Sequence, residues 1–239
     1  MKILARYGRE DLAVLTIAKI DGGIVEFAES LQPPRSRDEK WVLVISSLFG
    51  CPVGCRMCDA GEYFDGPQSP EDMLAQVDWM VRRRHPDGRV PAGLFKIQFA
   101  RIGEPALNPG VLETLEHLPG CYDAPGLMPC ISTVAPAGCE SFLEEMRLIK
   151  DRLYAGGAFQ LQFSIHSSDE ETRRSWMAPG IWPLERIAAA ISTSSSFNRA
   201  AGSSPPNRCK VSRQPSTCFQ VVFWVRMAPT PTSKRCVRP

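Results

Sequence analysis

Residues 41–58 read WVLVISSLFGCPVGCRMC, and the fold turns on them. The first eight are β-branched and almost continuously apolar, as expected of a strand covered on both faces. Directly after them stand Cys51, Cys55 and Cys58, a C-x3-C-x2-C spacing on a short loop with Pro52 and Gly54. Three thiolates on one loop suit three irons of a four-iron cluster, because thiolate is the soft ligand this chemistry needs, and they leave the fourth iron open to a small molecule. A structural zinc site asks for a fourth Cys or His at short spacing. Asp59 is a poor candidate and His85 lies a whole helix away, so zinc is the second reading. Three cysteines in eight residues of a Gly/Pro loop do not read as core filler.

Outward from this stretch the chain alternates strand and helix. Ser69-Pro70-Glu71-Asp72 supplies an N-cap, a proline at the first helical position and early acids. Met73, Val77, Met80 and Val81 then fall on one face. Residues 94–100, LFKIQFA, form a second strand. Asn108-Pro109 opens a helix with Val111, Leu112, Leu115 and Leu118 inward. Residues 127–132, LMPCIS, make a third strand weakened by Pro129. A helix over 140–153 buries Phe142, Met146, Ile149 and Leu153. Residues 159–165, FQLQFSI, are the fourth strand, and Ser167 with Glu170 caps the segment after it. Strand–helix units of this kind predict an α/β fold with a parallel sheet and right-handed crossovers. Residues 1–40 read as a β-hairpin preface turning at Asp21-Gly22-Gly23, then a linker at Gln32-Pro33-Pro34.

The 239 residues are 44% apolar and 23% charged with a net charge of +2, an ordinary globular composition. No apolar run reaches the roughly 18–20 residues that span a bilayer, which predicts no membrane partner. Nine cysteines, an odd number without an export signal, predict a reducing cytoplasm rather than a disulfide framework. The charge is uneven. Residues 192–239 hold eight basic residues and no acid, leaving −6 on residues 1–191 (20 basic, 26 acidic). This basic, Ser/Pro-rich tail reads either as a disordered arm that attracts RNA phosphates or as sequence foreign to the fold, as a shifted frame produces.

The cysteine loop resembles that of the radical S-adenosylmethionine (SAM) superfamily, over about residues 41–190. Three later segments match in order: Gly103-Glu104-Pro105, Ser132-Thr133, and Ser164-Ile165-His166, each at the C-terminal end of a predicted parallel strand, where barrel active sites sit. FARIGEPALNP, CISTVAP and LQFSIHS look most like the branch that methylates adenine in ribosomal and transfer RNA. The resemblance implies a partial (βα)n barrel over 41–191, apparently truncated after its fourth strand, with a tail over 192–239. It implies a [4Fe-4S] cluster on Cys51, Cys55 and Cys58, and SAM held by Gly103, Glu104, Ser132, Ser164, Ile165 and His166. Glu104 would orient the methionine ammonium. The implied reaction is reductive cleavage of SAM to a 5′-deoxyadenosyl radical that abstracts hydrogen from a substrate. A one-electron donor such as ferredoxin or flavodoxin is the implied partner, with RNA as a further one.

Two departures accompany the match. The RNA-methylating branch carries a cysteine seven residues before the first cluster ligand, where Val44 stands here. Its methyl-carrying cysteine has no recognisable counterpart among Cys209, Cys218 and Cys236. Cys121, Cys130 and Cys139 recur every nine residues, a spacing too wide for a cluster loop, and Cys130 reads as a buried strand residue. Beyond residue 170 only FQVVFWV at 219–225 looks strand-like, so the sheet is expected to end on an open edge, an aggregation hazard. A different class of function, a zinc-stabilised nucleic-acid-binding module using the basic tail, is the rival reading.

Overall fold

Alternating apolar and polar residues in FKIQF and QLQFS give their strands one face for the core and one for chemistry, and the fold is built on that division. The computed structural model describes residues 1–193 and the strand 222–226. The remaining tail positions, with Cys209, Cys218 and Cys236, lie outside the described residues, as do the expectations of disorder or foreign sequence there.

The strands are β1 (Lys2–Arg9), β2 (Ala13–Ile20), β3 (Gly23–Ser30), β4 (Trp41–Ile45), β5 (Leu48–Gly50), β6 (Phe64–Pro67), β7 (Phe95–Phe99), β8 (Leu127–Thr133), β9 (Gln160–Ser164) and β10 (Val222–Arg226). The helices are α1 (Pro70–Arg84), α2 (Gly110–Cys121), α3 (Glu140–Leu153), α4 (Glu170–Trp176) and α5 (Leu184–Thr193). One eight-stranded sheet runs β1-β2-β3-β4-β7-β8-β9-β10. Its centre, β4-β7-β8-β9, is parallel with registers Leu43↔Ile97, Ile97↔Pro129 and Ile131↔Leu161. This is the expected partial barrel.

Trp41, Leu43, Ile45, Phe95, Ile97, Phe99, Ile131, Leu161 and Phe163 are buried, as are Met73, Val77, Met80 and Val81 of α1, Val111, Leu112, Leu115 and Leu118 of α2, and Phe142, Met146 and Ile149 of α3, all in one cluster. Burying an apolar side chain of this size is worth about 1.5–3 kcal/mol, so the helices are held mainly by this face. The capping box at Ser69 forms: its side chain accepts from the Asp72 N–H, and Asp72 accepts from the Ser69 N–H.

Several expectations are corrected. The preface is a three-stranded antiparallel meander, because Lys2–Arg9 pairs with Ala13–Ile20, and β3 then joins β4 antiparallel. The apolar run 41–48 is broken at Ile45. Ser46 and Ser47 turn away to bond Gln76 and Ile102, and Leu48–Gly50 pairs with Phe64–Pro67 instead. Pro129 does not weaken its strand: β9 pairs only from Cys130 onward, so the proline sits where β7 alone flanks it. The cap of α4 is Asp169, accepting from Thr172 N at 2.8 Å, while Ser167 Oγ accepts from the Asp169 N–H. Leu153 is exposed rather than inward. The edge of β9 is not left open, since β10 pairs with it antiparallel from Val222↔Ser164 to Arg226↔Gln160.

Candidate functional site

The cleft at the C-terminal ends of the parallel strands starts from how the chain leaves β4. Ser46 Oγ donates to the Glu26 carbonyl at 2.5 Å and accepts from Ile102 N at 3.1 Å. Gln76 Oε1 accepts from Ser46 N at 3.0 Å, and its Nε2 donates to Ser46 O at 3.1 Å. Asn108 Nδ2 donates to Ser47 O and Gln68 O. These side chains, all buried, fix the base from which the cysteine loop projects. Gly103, at φ +98, packs so closely that a Cβ there would lie 2.5 Å from Leu48 Cβ and 2.8 Å from Leu48 N. No larger residue fits at that crossing.

The cleft has a volume of about 260 Å³. Eight of the nine residues anticipated for the cluster and SAM line it: Cys51, Cys55, Cys58, Gly103, Glu104, Ser132, Ser164 and His166. Ile165 is buried beside it rather than in its wall. His166 holds a positive φ of 63° directly after β9, uncommon for a non-glycine residue and of a kind that clusters at functional sites.

Within the loop, Cys58 N donates to Cys55 O at 3.0 Å and Cys51 N to Tyr63 O at 3.0 Å. The sulfurs of Cys51 and Cys55 accept backbone hydrogen bonds from Val53 and Ala178. Burial nevertheless pushes both thiols up. Among the described residues no three His, Cys, Asp or Glu side chains are gathered as a metal group as they stand. The donor set still fits an iron–sulfur cluster: three soft thiols on one wall of one cleft, two already receiving the main-chain N–H···S bonds that support such clusters. Asp59 also lines the cleft. His85 is instead the C-cap of α1, with its ring 5.6 Å from that of Trp41, so it supplies no fourth zinc ligand here.

Glu104 is 5% exposed. Its Oε1 accepts from Ala106 N at 3.0 Å and its Oε2 from Val134 N at 2.9 Å. Among the described residues it has no ion-pair partner. Burial raises its pKa to about 6, against hydrogen bonds from Thr133, Val134 and Ala106. Below it the inner face of the sheet carries a polar belt. Gln98 Nε2 donates to Ser132 Oγ at 3.0 Å and Gln162 Oε1 at 2.7 Å, and Ser132 Oγ donates to the same Gln162 oxygen. This holds the Ser132 hydroxyl in place. Gln98, Gln162, Arg101 and the Val134 and Ala178 amides went unread in the sequence. The alternation in FKIQF and QLQFS was the signal for the two glutamines, whereas the amides had none.

A parallel-stranded partial barrel with three cysteines on the loop after its first parallel strand is the arrangement that the resemblance to radical SAM proteins anticipates. The chain is 31% identical over 187 residues to the dual-specificity RNA methyltransferase RlmN of Solidesulfovibrio magneticus, covering 76% of this chain and 48% of that protein. It is 30% identical over 161 residues to the probable RlmN of Prochlorococcus marinus strain NATL1A, covering 66% and 41%. The crystal structure of a radical SAM methyltransferase from Sphaerobacter thermophilus matches 74% of this chain and 48% of its own, with a TM-score of 0.54 at 20% identity. No protein-family model matches. These similarities relate the chain to the radical SAM superfamily, whose members imply a four-iron cluster and SAM. The chain spans about half the length of the curated relatives it matches. No helix among the described residues is long and apolar enough to cross a membrane.

Proposed function

We propose that this chain is a radical SAM enzyme acting on RNA, with its cluster on Cys51, Cys55 and Cys58. The observation that carries the reading is a buried carboxylate, Glu104, with no ion-pair partner among the described residues, in the wall of the cleft that also holds three thiols. A buried anion of this kind is costly unless paired, and the methionine ammonium of SAM is a cation of the right size for it. Gly103 lets the chain pass close to Leu48, Ser132 presents a hydroxyl fixed by Gln98 and Gln162, and Ser164 and His166 close the far strand end. Cys51, Cys55 and Cys58 would hold a four-iron cluster, which would supply one-electron reduction of SAM bound beside it. The residues of this chain orient the cofactor and keep water from it. A one-electron donor such as ferredoxin or flavodoxin completes the reaction. RNA as substrate is supported by what the relatives are named for, and so is methyl transfer as the outcome.

A second reading, hydrogen abstraction without a methyl relay, is favoured by Val44. It occupies the position where the RNA-methylating branch carries a cysteine. Anaerobic reconstitution with iron and sulfide, followed by dithionite and SAM, tests the shared step. Four-iron absorbance and 5′-deoxyadenosine are expected, both lost in Cys55→Ala. Stoichiometric zinc without iron uptake would end the proposal. Methylated adenine in an RNA product, against its absence with 5′-deoxyadenosine still formed, separates the two readings.

A further inference from the structure

The cleft carries a cation that the proposed cofactor chemistry leaves unused. Arg101 lines it just past the end of β7, and among the described lining residues it is the one whose charge stays positive at any ordinary pH. The other ionisable groups there, His166 aside, are acids: Asp59, Glu104 and the three thiols. The Ala100 and Arg101 amides donate to the Ile45 carbonyl at 3.2 and 3.0 Å, so the backbone under the arginine is fixed to the end of β4. Its guanidinium reaches one strand further, where Nη2 donates to the Glu26 carboxylate of β3. Glu26 is anchored in turn, because its carbonyl accepts from Ser46 Oγ.

This pair is only partly buried, with side chains 37% and 25% exposed. Ion pairs that water reaches contribute little, so the pair is easily opened or shared. Glu26 occupies one arm of a fork with five donors, and it is the side chain's one hydrogen-bond partner among the described residues. The methionine head of SAM does not account for the rest of the fork. Its ammonium and carboxylate sit on one carbon, whereas the two protein charges are tied toward opposite sides of the cleft. Glu104 is bonded to Val134, past the end of β8, and Arg101 to Glu26 on β3. In the order β3-β4-β7-β8 that is three strand spacings, about 14 Å along the sheet. A planar fork pairs bidentately with phosphate. An RNA substrate must bring phosphates to a body that carries −6 over residues 1–191, into a cleft otherwise lined by acids.

We propose that Arg101 is a specificity-determining residue that grips a backbone phosphate next to the nucleotide entering the cleft, with Glu26 holding the fork in place for it. The inference rests on the reading of the substrate as RNA.

The test uses the full chain, reconstituted and saturated with SAM, as wild type, Arg101→Gln, Arg101→Lys and Glu26→Gln. The probe is a short, end-labelled single-stranded RNA containing adenine, followed by fluorescence anisotropy over a salt series. A second set of probes replaces one phosphate at a time, on either side of the adenine, by a neutral methylphosphonate. Arg101→Gln is expected to weaken RNA binding about tenfold and to shrink the slope of log affinity against log salt by about 0.7, one contact on a single strand. SAM affinity, by equilibrium dialysis, is expected to hold. One neutral linkage should weaken the wild type by a similar factor and leave Arg101→Gln unaffected. Glu26→Gln keeps the cation and is expected to keep RNA affinity. A loss in Glu26→Gln as large as in Arg101→Gln shows that the ion pair only props the cleft, and overturns the proposal. Loss of SAM affinity in place of RNA affinity, or equal effects of every neutral linkage in wild type and Arg101→Gln, also overturns it. Where Arg101→Gln does not fold, Arg101→Lys carries the same comparison: lysine is a point charge without the fork, so the neutral linkage should cost it less than it costs the wild type, and an equal cost overturns the proposal. A wild-type protein that binds SAM but no RNA is a separate result, which removes the RNA reading and this inference with it.

Discussion

Replacing Glu104 by glutamine sets two effects against each other. The carboxylate is buried with its pKa raised to about 6, so its ionised form costs the fold roughly 2 kcal/mol at neutral pH. Because the folded value lies above the unfolded one, the stability linked to this group is complete below about pH 4.3 and is lost as pH rises through about 6. Glutamine removes that cost but turns an NH₂ toward either the Ala106 or the Val134 N–H, a clash of donors worth about 1–3 kcal/mol. The two nearly offset. Glu104→Gln is therefore expected to melt within a few degrees of wild type at pH 7.5 by calorimetry. SAM binding, measured by equilibrium dialysis, should weaken ten- to a hundredfold, since a charge-assisted bond is worth about 1.5–3 kcal/mol. Undiminished affinity would remove Glu104 from the cofactor site. The residue was legible beforehand because Gly-Glu-Pro follows a strand. Its lack of an ion-pair partner among the described residues was not, since that depends on which side chains the fold brings near.

Helix α1 shows how an element serves the site at two separate points. Its capping box at Ser69 is local chemistry, and Ser69→Ala should cost about 1 kcal/mol with no change in iron bound per chain. Gln76, one face further on, bonds the Ser46 backbone in both directions and Gln68 Oε1 at 2.6 Å. Gln76→Leu leaves the buried Ser46 N–H and C=O unpaired, at about 1–3 kcal/mol for each. Urea unfolding should show a lower midpoint with unchanged slope, and iron loading should fall, because Ser46–Leu48 carries the cysteine loop. Equal iron loading in the two variants would separate α1 from the site. The cap was readable from Ser-Pro-Glu-Asp. The end of β4 was not, because ISSL continues an apolar run, and only the tertiary hydrogen bonds of Ser46 and Ser47 stop the strand at Ile45.

At the scale of the molecule, Glu10 ties the β1–β2 meander to α1, bonding Arg6 and Arg83 at 2.7 and 3.0 Å, and Arg84. Its pKa is held down to about 2, by Arg6 first and then Arg84. A depressed carboxylate lends stability above its unfolded value, near pH 4.3, and loses it as pH falls through about 2. Glu10 is half exposed, so the contribution at neutral pH is at most about 1 kcal/mol. The difference in melting temperature between wild type and Glu10→Gln should thus close between pH 4.3 and 2. At the other edge, ending the chain at residue 193 removes β10 and bares β9, and light scattering should show self-association that the full chain lacks. The residue pattern by itself determined the parallel strand–helix units, the cysteine loop and the order of the site segments, because period and spacing are local properties of the chain. Only the tertiary structure decided that those segments share one cleft, that β9 gains an antiparallel neighbour, and that Glu104 is buried with no ion-pair partner among the described residues. Burial and pairing depend on residues far apart in sequence, and no local pattern records them.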